Sequence, residues 1–189
     1  MNAMSEIANL LLGTAFSLYI GILWVRFLLQ LVQADFYNPI SQFVVKASAP
    51  VLNPLRQIMP KHKYWDFSAL FAIVLLQLLS MTLMSLISGH GTLPPILLVL
   101  SAIFQLIYLA TEFYFWAIII SIVLSWISPG YSPFAALLQQ ITEPVLAPFR
   151  KLLPAMGGLD LSPILAFLMI QILQILLRAM SQSLFSLNF

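Results

Sequence analysis

Four uninterrupted apolar runs, at about 7–32, 67–87, 93–127 and 161–184, decide what this chain can become. A membrane helix needs about 20 apolar residues, because each adds ~1.5 Å against a hydrocarbon core ~30 Å thick. All four runs are long enough. In lipid a segment must satisfy its own backbone hydrogen bonds, which a helix does alone, and the alternation expected of a membrane β-barrel is absent. Composition closes off the soluble alternative: 61% of the residues are hydrophobic and 7% are charged, against about 25% charged in a domain whose surface must stay wet. The residues ahead of the first run, Met1–Glu6, carry an acid and no Lys or Arg. That run also exceeds the ~7–15 residues of a signal-peptide core. It is therefore expected to be a permanent first span. No cysteine is present, which removes disulfides and thiolate metal sites.

The chain is duplicated. PVLNPLRQIMP, from Pro50 to Pro60, matches PVLAPFRKLLP, from Pro144 to Pro154. A shift of 94 carries Pro50, Pro54, Arg56 and Pro60 onto Pro144, Pro148, Arg150 and Pro154 without a gap, and likewise Asp66 onto Asp160 and Gln77 onto Gln171. Over positions 38–77, eleven of forty residues are identical to their counterparts, and several are prolines and charges rather than apolar filler. The expected architecture is an all-α membrane protein with two tandem repeats, 1–90 and 91–189. Each repeat reads as span, short amphipathic interfacial helix, Pro/Arg loop, span. Two spans per copy make the repeats parallel.

Six of the eight basic residues lie in the two repeated loops: Lys46, Arg56, Lys61, Lys63, Arg150 and Lys151. The connection between the copies, Ser88–Thr92, has none. The positive-inside rule then places both loops in the cytoplasm and both termini on the opposite side. Tyr64, Trp65, Trp126 and Tyr131 fall where an interfacial aromatic belt is expected. The net charge of +2 is thus explained by topology, and no nucleic-acid binding is expected.

Within each loop, Asn38 and Ser132 are N-caps followed by Pro39 and Pro133 at the first helical position. Ile40, Phe43, Val44 and Ala47 then share one helical face, as do Phe134, Leu137, Leu138 and Ile141. Each helix is expected to be about ten residues long and to lie flat on the interface. It either plugs the bundle mouth or docks a partner. The prolines that follow should hold the chain as stiff turns. From that frame Arg56, Arg150 and Lys151 can contact lipid phosphates or a partner carboxylate, since the guanidinium fork suits both. The simpler alternative is topogenic charge with a local ion pair to Asp66 or Asp160. Those two aspartates stand where they would cap the second span of each copy.

Inside the membrane, Gln77 and Gln171 lie at equivalent depth and can bond each other across the repeat axis or bond nearby carbonyls. Arg26, Glu112 and Arg178 are the ionisable residues within spans, and such residues are functional candidates by default. Arg26 is close enough to the cytoplasmic end to snorkel outward. Glu112 and Arg178 are close in depth and are expected to pair. The third run, as one helix, would be ~52 Å long, so it either tilts and protrudes or breaks near Glu112. His62 and His90 lack any metal-ligand spacing. Gly157-Gly158 reads as a turn, and no nucleotide or nucleophile motif occurs. No enzyme activity, cofactor or metal is expected.

The pattern DFYNPISQFVVK followed by P-x-x-x-P-x-R-x-x-x-P, echoed as EPVLAPFRKLLPAMGGLDLSP, closely resembles the YggT family over nearly the whole chain. It looks most like the two-repeat bacterial members, which are related to the single-repeat YlmG group of Gram-positive bacteria and to forms in cyanobacteria and chloroplasts. The resemblance implies an inner-membrane protein whose relatives are linked to cell or plastid division, nucleoid distribution, cytochrome b6 haem assembly and osmotic tolerance. It implies no catalytic residue. Lys61-His62-Lys63 departs from the second copy, where Ala-Met-Gly-Gly stands. Two functions are compatible with these features. One is a scaffold or assembly factor for envelope components that acts through the paired loops; membrane-protein partners or a homo-oligomer are expected. The other is an oligomeric ion- or solute-handling protein linked to osmotic response.

Overall fold

Apolar runs bounded by capping residues give six helices in the computed structural model, which describes residues 3–89, 91, 93–127, 132–152 and 160–186. They are α1 (Ala3–Leu31), α2 (Pro39–Leu55), α3 (Phe67–Ser88), α4 (Pro95–Ile127), α5 (Pro133–Leu152) and α6 (Ser162–Ser186). Among the described residues there is no strand. Helices α1, α3, α4 and α6 are long and apolar enough to cross a membrane. His90, Tyr131, Pro154 and Gly157-Gly158 lie outside the described residues. The third run is one continuous helix of 33 residues through Glu112, or about 50 Å at 1.5 Å per residue.

The chain forms two compact units, Met1–Leu106 and Ile107–Phe189, divided within α4. In the first, α1 runs antiparallel to α3. Asn9 near the start of α1 donates to Ser88 at the end of α3 at 2.7 Å, and Arg26 near the end of α1 meets Asp66 just ahead of α3. Ile20, Leu23 and Phe27 of α1 are buried with Ala69, Ala72 and Ile73 of α3. Small residues on α3 allow the close approach on which helix packing in lipid depends. In the second unit, Ile118 of α4, Leu146 of α5 and Ala166 and Ile170 of α6 form the core; the Phe115 and Phe167 rings pack against it, tilted by 59° with centroids 5.2 Å apart.

Helices α2 and α5 correct the sequence expectation. They run 17 and 20 residues, and Pro50, Pro54, Pro144 and Pro148 stand inside them instead of breaking the chain into turns. Each interior proline removes one i→i−4 bond. All four are exposed, however, and their four-residue spacing puts each pair on one outer face where water can take the freed carbonyls. The opposite stripe is what is buried: Val44, Ser48 and Leu52 in α2, and their 94-shifted counterparts Leu138, Thr142 and Leu146 in α5. In α2 this stripe is turned away from the expected Ile40–Phe43 edge, leaving Phe43 63% exposed. The small Ser41 and Ser48 allow the closer contact with the neighbouring helices.

Helix α1 ends on a residue that sequence patterns do not flag. Gln33 has φ of 53°, while Ala34 N–H reaches the Leu29 carbonyl at 2.9 Å and Gln33 N–H that of Gln30 at 3.2 Å. This is the hydrogen-bond pattern of a Schellman cap, which usually takes glycine at the left-handed position. The Gln33 side chain offsets the strain by donating to the Gln30 and Lys63 carbonyls, at 2.8 and 2.9 Å.

Candidate functional site

The start of α3 needs acceptors for its free N–H groups, and Asp66 supplies one: its Oδ1 accepts from Ala69 N–H at 3.1 Å. Its other oxygen accepts from the Arg56 guanidinium. Arg26 Nη2 lies 3.9 Å from that same oxygen. Ten residues separate Arg56 from Asp66, so the pair ties the end of α2 to the beginning of α3. Asp66 is 4% exposed, Arg26 8% and Arg56 33% by side chain. Arg26 is thus drawn into the junction between α1 and α3. It is held inward by Asp66 and packs over the Phe36 ring at 5.4 Å. Its Nε and Nη1 are buried without a hydrogen-bond partner.

Above this junction, Gln30 donates to the His62 carbonyl at 2.9 Å and Gln33 to that of Lys63. The two glutamines thus hold the 61–65 loop against the end of α1. His62 Nδ1 accepts from the Tyr64 and Trp65 N–H groups, both at 3.2 Å. With Nδ1 accepting, the neutral ring keeps its proton on Nε2 as a donor. Beneath the loop lies a cavity of about 220 Å³, lined among others by Arg26, Gln30, Arg56, Lys61 and His62.

The second unit repeats the junction with altered charge. Arg150 Nε donates to Asp160 at 2.9 Å and its Nη1 to Glu143 at 2.5 Å. Asp160 also accepts from Ser162 N–H at 2.9 Å, at the start of α6. Here the side chains are 40% to 46% exposed. The bond to Asp160 holds the Arg150 pKa above its ordinary value, and Glu143 adds to this against the effect of burial. For Asp160, partial burial raises the carboxyl, but hydrogen bonding by Ser162 and Arg150 outweighs it and the net displacement is downward. The repeat shift sets Arg26 against Ile120 and Glu143 against Ala49. The first junction thus has two cations and one anion, the second one cation and two anions. Lys151 stands exposed in the last turn of α5.

Within the spans the structure gives Gln77 and Arg178 partners that the sequence reading did not name. Gln77 of α3 donates to Gln105 of α4 at 2.5 Å, both within the first unit. Gln105 has no polar counterpart at the equivalent position Leu11, so a comparison of the copies could not reveal it. Arg178 donates to the Tyr108 hydroxyl at 2.5 Å and lies 5.2 Å from its ring centroid. No ion pair joins it to Glu112 among the described residues, and Glu112 is exposed. Tyr108 lies one turn before Glu112, where its phenol and ring face cover the guanidinium without drawing a second charge into the membrane.

Comparisons with known proteins place this arrangement in a family. The family described as CCB3/YggT matches residues 4–87 and again 100–181, one match per repeat. An uncharacterised protein of Pseudomonas aeruginosa is 47% identical over 93% of this chain and 90% of its own length. One of Vibrio alginolyticus is 40% identical over 90% of this chain and 91% of its own. The uncharacterised protein YggT of Escherichia coli K12 is 36% identical over 86% of this chain and 85% of its own. No solved structure matches significantly. With both repeats matched and relatives aligned over most of their length, the chain belongs to the CCB3/YggT family.

Proposed function

We propose that this protein is a non-enzymatic scaffold of the bacterial inner membrane that positions other membrane components on its two proline helices. In this reading the repeats are parallel, α2 and α5 lie along the cytoplasmic interface, and the basic loops face the cytoplasm as the positive-inside rule requires. The observation that carries it is the duplicated arginine–aspartate junction. It fixes the end of each proline helix at the head of the following span while the outer helix face stays exposed. That face carries Phe43 and Lys46 in α2, and Phe134 and Gln140 in α5. A rigid, exposed, mixed apolar and polar face suits protein docking better than it suits chemistry.

A photo-crosslinking residue at Phe43 or Phe134, in cells at natural expression level, tests this. A discrete set of membrane proteins captured there, and not from Leu10 on the exposed side of α1, is the expected result. Adducts to lipid alone, or only to a second copy, contradict scaffolding and turn attention to the oligomeric transport reading.

A further inference from the structure

We propose that the cavity beneath the 61–65 loop binds a phosphate group, borne by a membrane lipid or by a soluble anion. This stands independently of the scaffold reading. Arg26 carries the argument. It is 6% exposed, yet its Nε and Nη1 have no partner, and Nη2 is 3.9 Å from Asp66, beyond hydrogen-bonding distance. A buried guanidinium with unfilled donors is costly unless an anion completes it. Asp66 pairs with it only loosely, because its Oδ2 lies against Arg56 and stays 3.9 Å from Arg26 Nη2.

The second unit shows how the same junction looks when its charge is complete. There Arg150 is bracketed by two carboxylates of the chain itself, Asp160 and Glu143. In the first unit Ala49 replaces Glu143 and a second arginine is added at position 26, so one anion faces two cations. A cavity beside Arg26 gives the missing negative charge a place to sit, next to a guanidinium whose Nε and Nη1 themselves have no accessible surface. The cavity is about 220 Å³ and is lined by Arg26, Arg56 and Lys61, by His62, which retains an Nε2–H donor when neutral, and by one carboxylate, Asp66, against those three cations. The planar fork of arginine matches phosphate oxygens in pairs. Arg26 also lies only five residues before the end of a membrane-crossing helix, about 8 Å, within reach of the headgroup layer. Basic pockets between span ends hold lipid headgroups by these contacts.

The full-length protein in neutral detergent, stripped of lipid, is the material for the test. Binding of dioleoylphosphatidylglycerol, of phosphate-free dioleoylglycerol and of inorganic phosphate is followed by native mass spectrometry and thermal shift. The phosphate-bearing lipid should bind at least tenfold more tightly than dioleoylglycerol, and Arg26→Leu should remove that difference while Arg150→Gln keeps it. If inorganic phosphate alone stabilises the wild type and competes with the lipid, the natural ligand is a soluble anion. If only the lipid binds, it is a headgroup. Either result with Arg26 dependence supports the site. Equal binding by wild type and Arg26→Leu, or no binding by either phosphate probe, overturns it. Should Arg26→Leu fail to fold, Arg26→Lys carries the test: a point charge without the fork should weaken binding several-fold, and unchanged affinity contradicts the proposal.

Discussion

Arg56 and Asp66 form an ion pair across ten residues, with the carboxylate nearly inaccessible and the guanidinium one-third exposed. The same spacing joins Arg150 to Asp160, but in solvent. Because burial decides what an ion pair contributes, two equivalent substitutions should behave differently. Arg56→Ala should cost about 1–3 kcal/mol, since it strips a buried acceptor of its direct donor. Arg150→Ala should cost about 0–1 kcal/mol, as exposed pairs do. Thermal unfolding of both variants in the same detergent measures the contrast, and equal losses would contradict it.

Asp66 has two tasks that substitutions can separate. Asp66→Ala removes the helix cap, about 0.5–2 kcal/mol, and also leaves Arg26 and Arg56 without an anion, which should bring the total above about 3 kcal/mol. Asp66→Asn keeps an acceptor for Ala69 N–H and should fall between that variant and wild type. Chemical denaturation of the two variants ranks them.

The pH response should come partly from Asp160. Its folded-state pKa is displaced downward, so its contribution is complete above the ordinary aspartate value of about 3.9. It declines as the pH falls below that value through the folded pKa. With the side chain 45% exposed, the effect is small. Comparing wild type with Asp160→Asn between about pH 6 and pH 2 should show the difference between them shrinking toward the acid end.

The Gln77–Gln105 bond should be measurable within the spans. A double-mutant cycle with leucine at each position should give a coupling of about 0.6–1.7 kcal/mol. Additive losses would place the two amides with other partners.

Pro50 is the sharpest point of difference between the sequence and the fold. Its prolines read as stiff turns, whereas α2 continues through them. Pro50→Ala should therefore restore a helical hydrogen bond and stabilise the protein, by as much as ~3 kcal/mol. If the segment were turn, the same change would destabilise it. Hydrogen exchange at residue 50 of the variant, together with its melting temperature, distinguishes the two.

What the sequence made legible follows the physics of each feature. The spans were readable because lipid demands long apolar runs, and the repeat because prolines and charges do not recur by chance at one offset. The Asp66 cap and the possibility of Arg–Asp pairing followed from side-chain type and spacing. The helical continuation through Pro50 and Pro144 was not legible. It depends on the buried stripes Val44–Ser48–Leu52 and Leu138–Thr142–Leu146 outweighing lost backbone bonds. The partners of Gln77, Arg178 and Arg26 were missed for a related reason. Depth along a helix can be counted, but the face each side chain presents is set by packing. Gln33 as a left-handed cap was invisible because its side chain supplies what glycine ordinarily gives by conformation.

An arginine–aspartate pair binds each proline helix to the next span, most firmly in the first unit. A double-mutant cycle on Arg56→Gln and Asp66→Asn, read by reversible unfolding, tests it most directly. A coupling above about 1 kcal/mol is expected, with a smaller one for Arg150→Gln and Asp160→Asn. Independent, additive effects at Arg56 and Asp66 would contradict it.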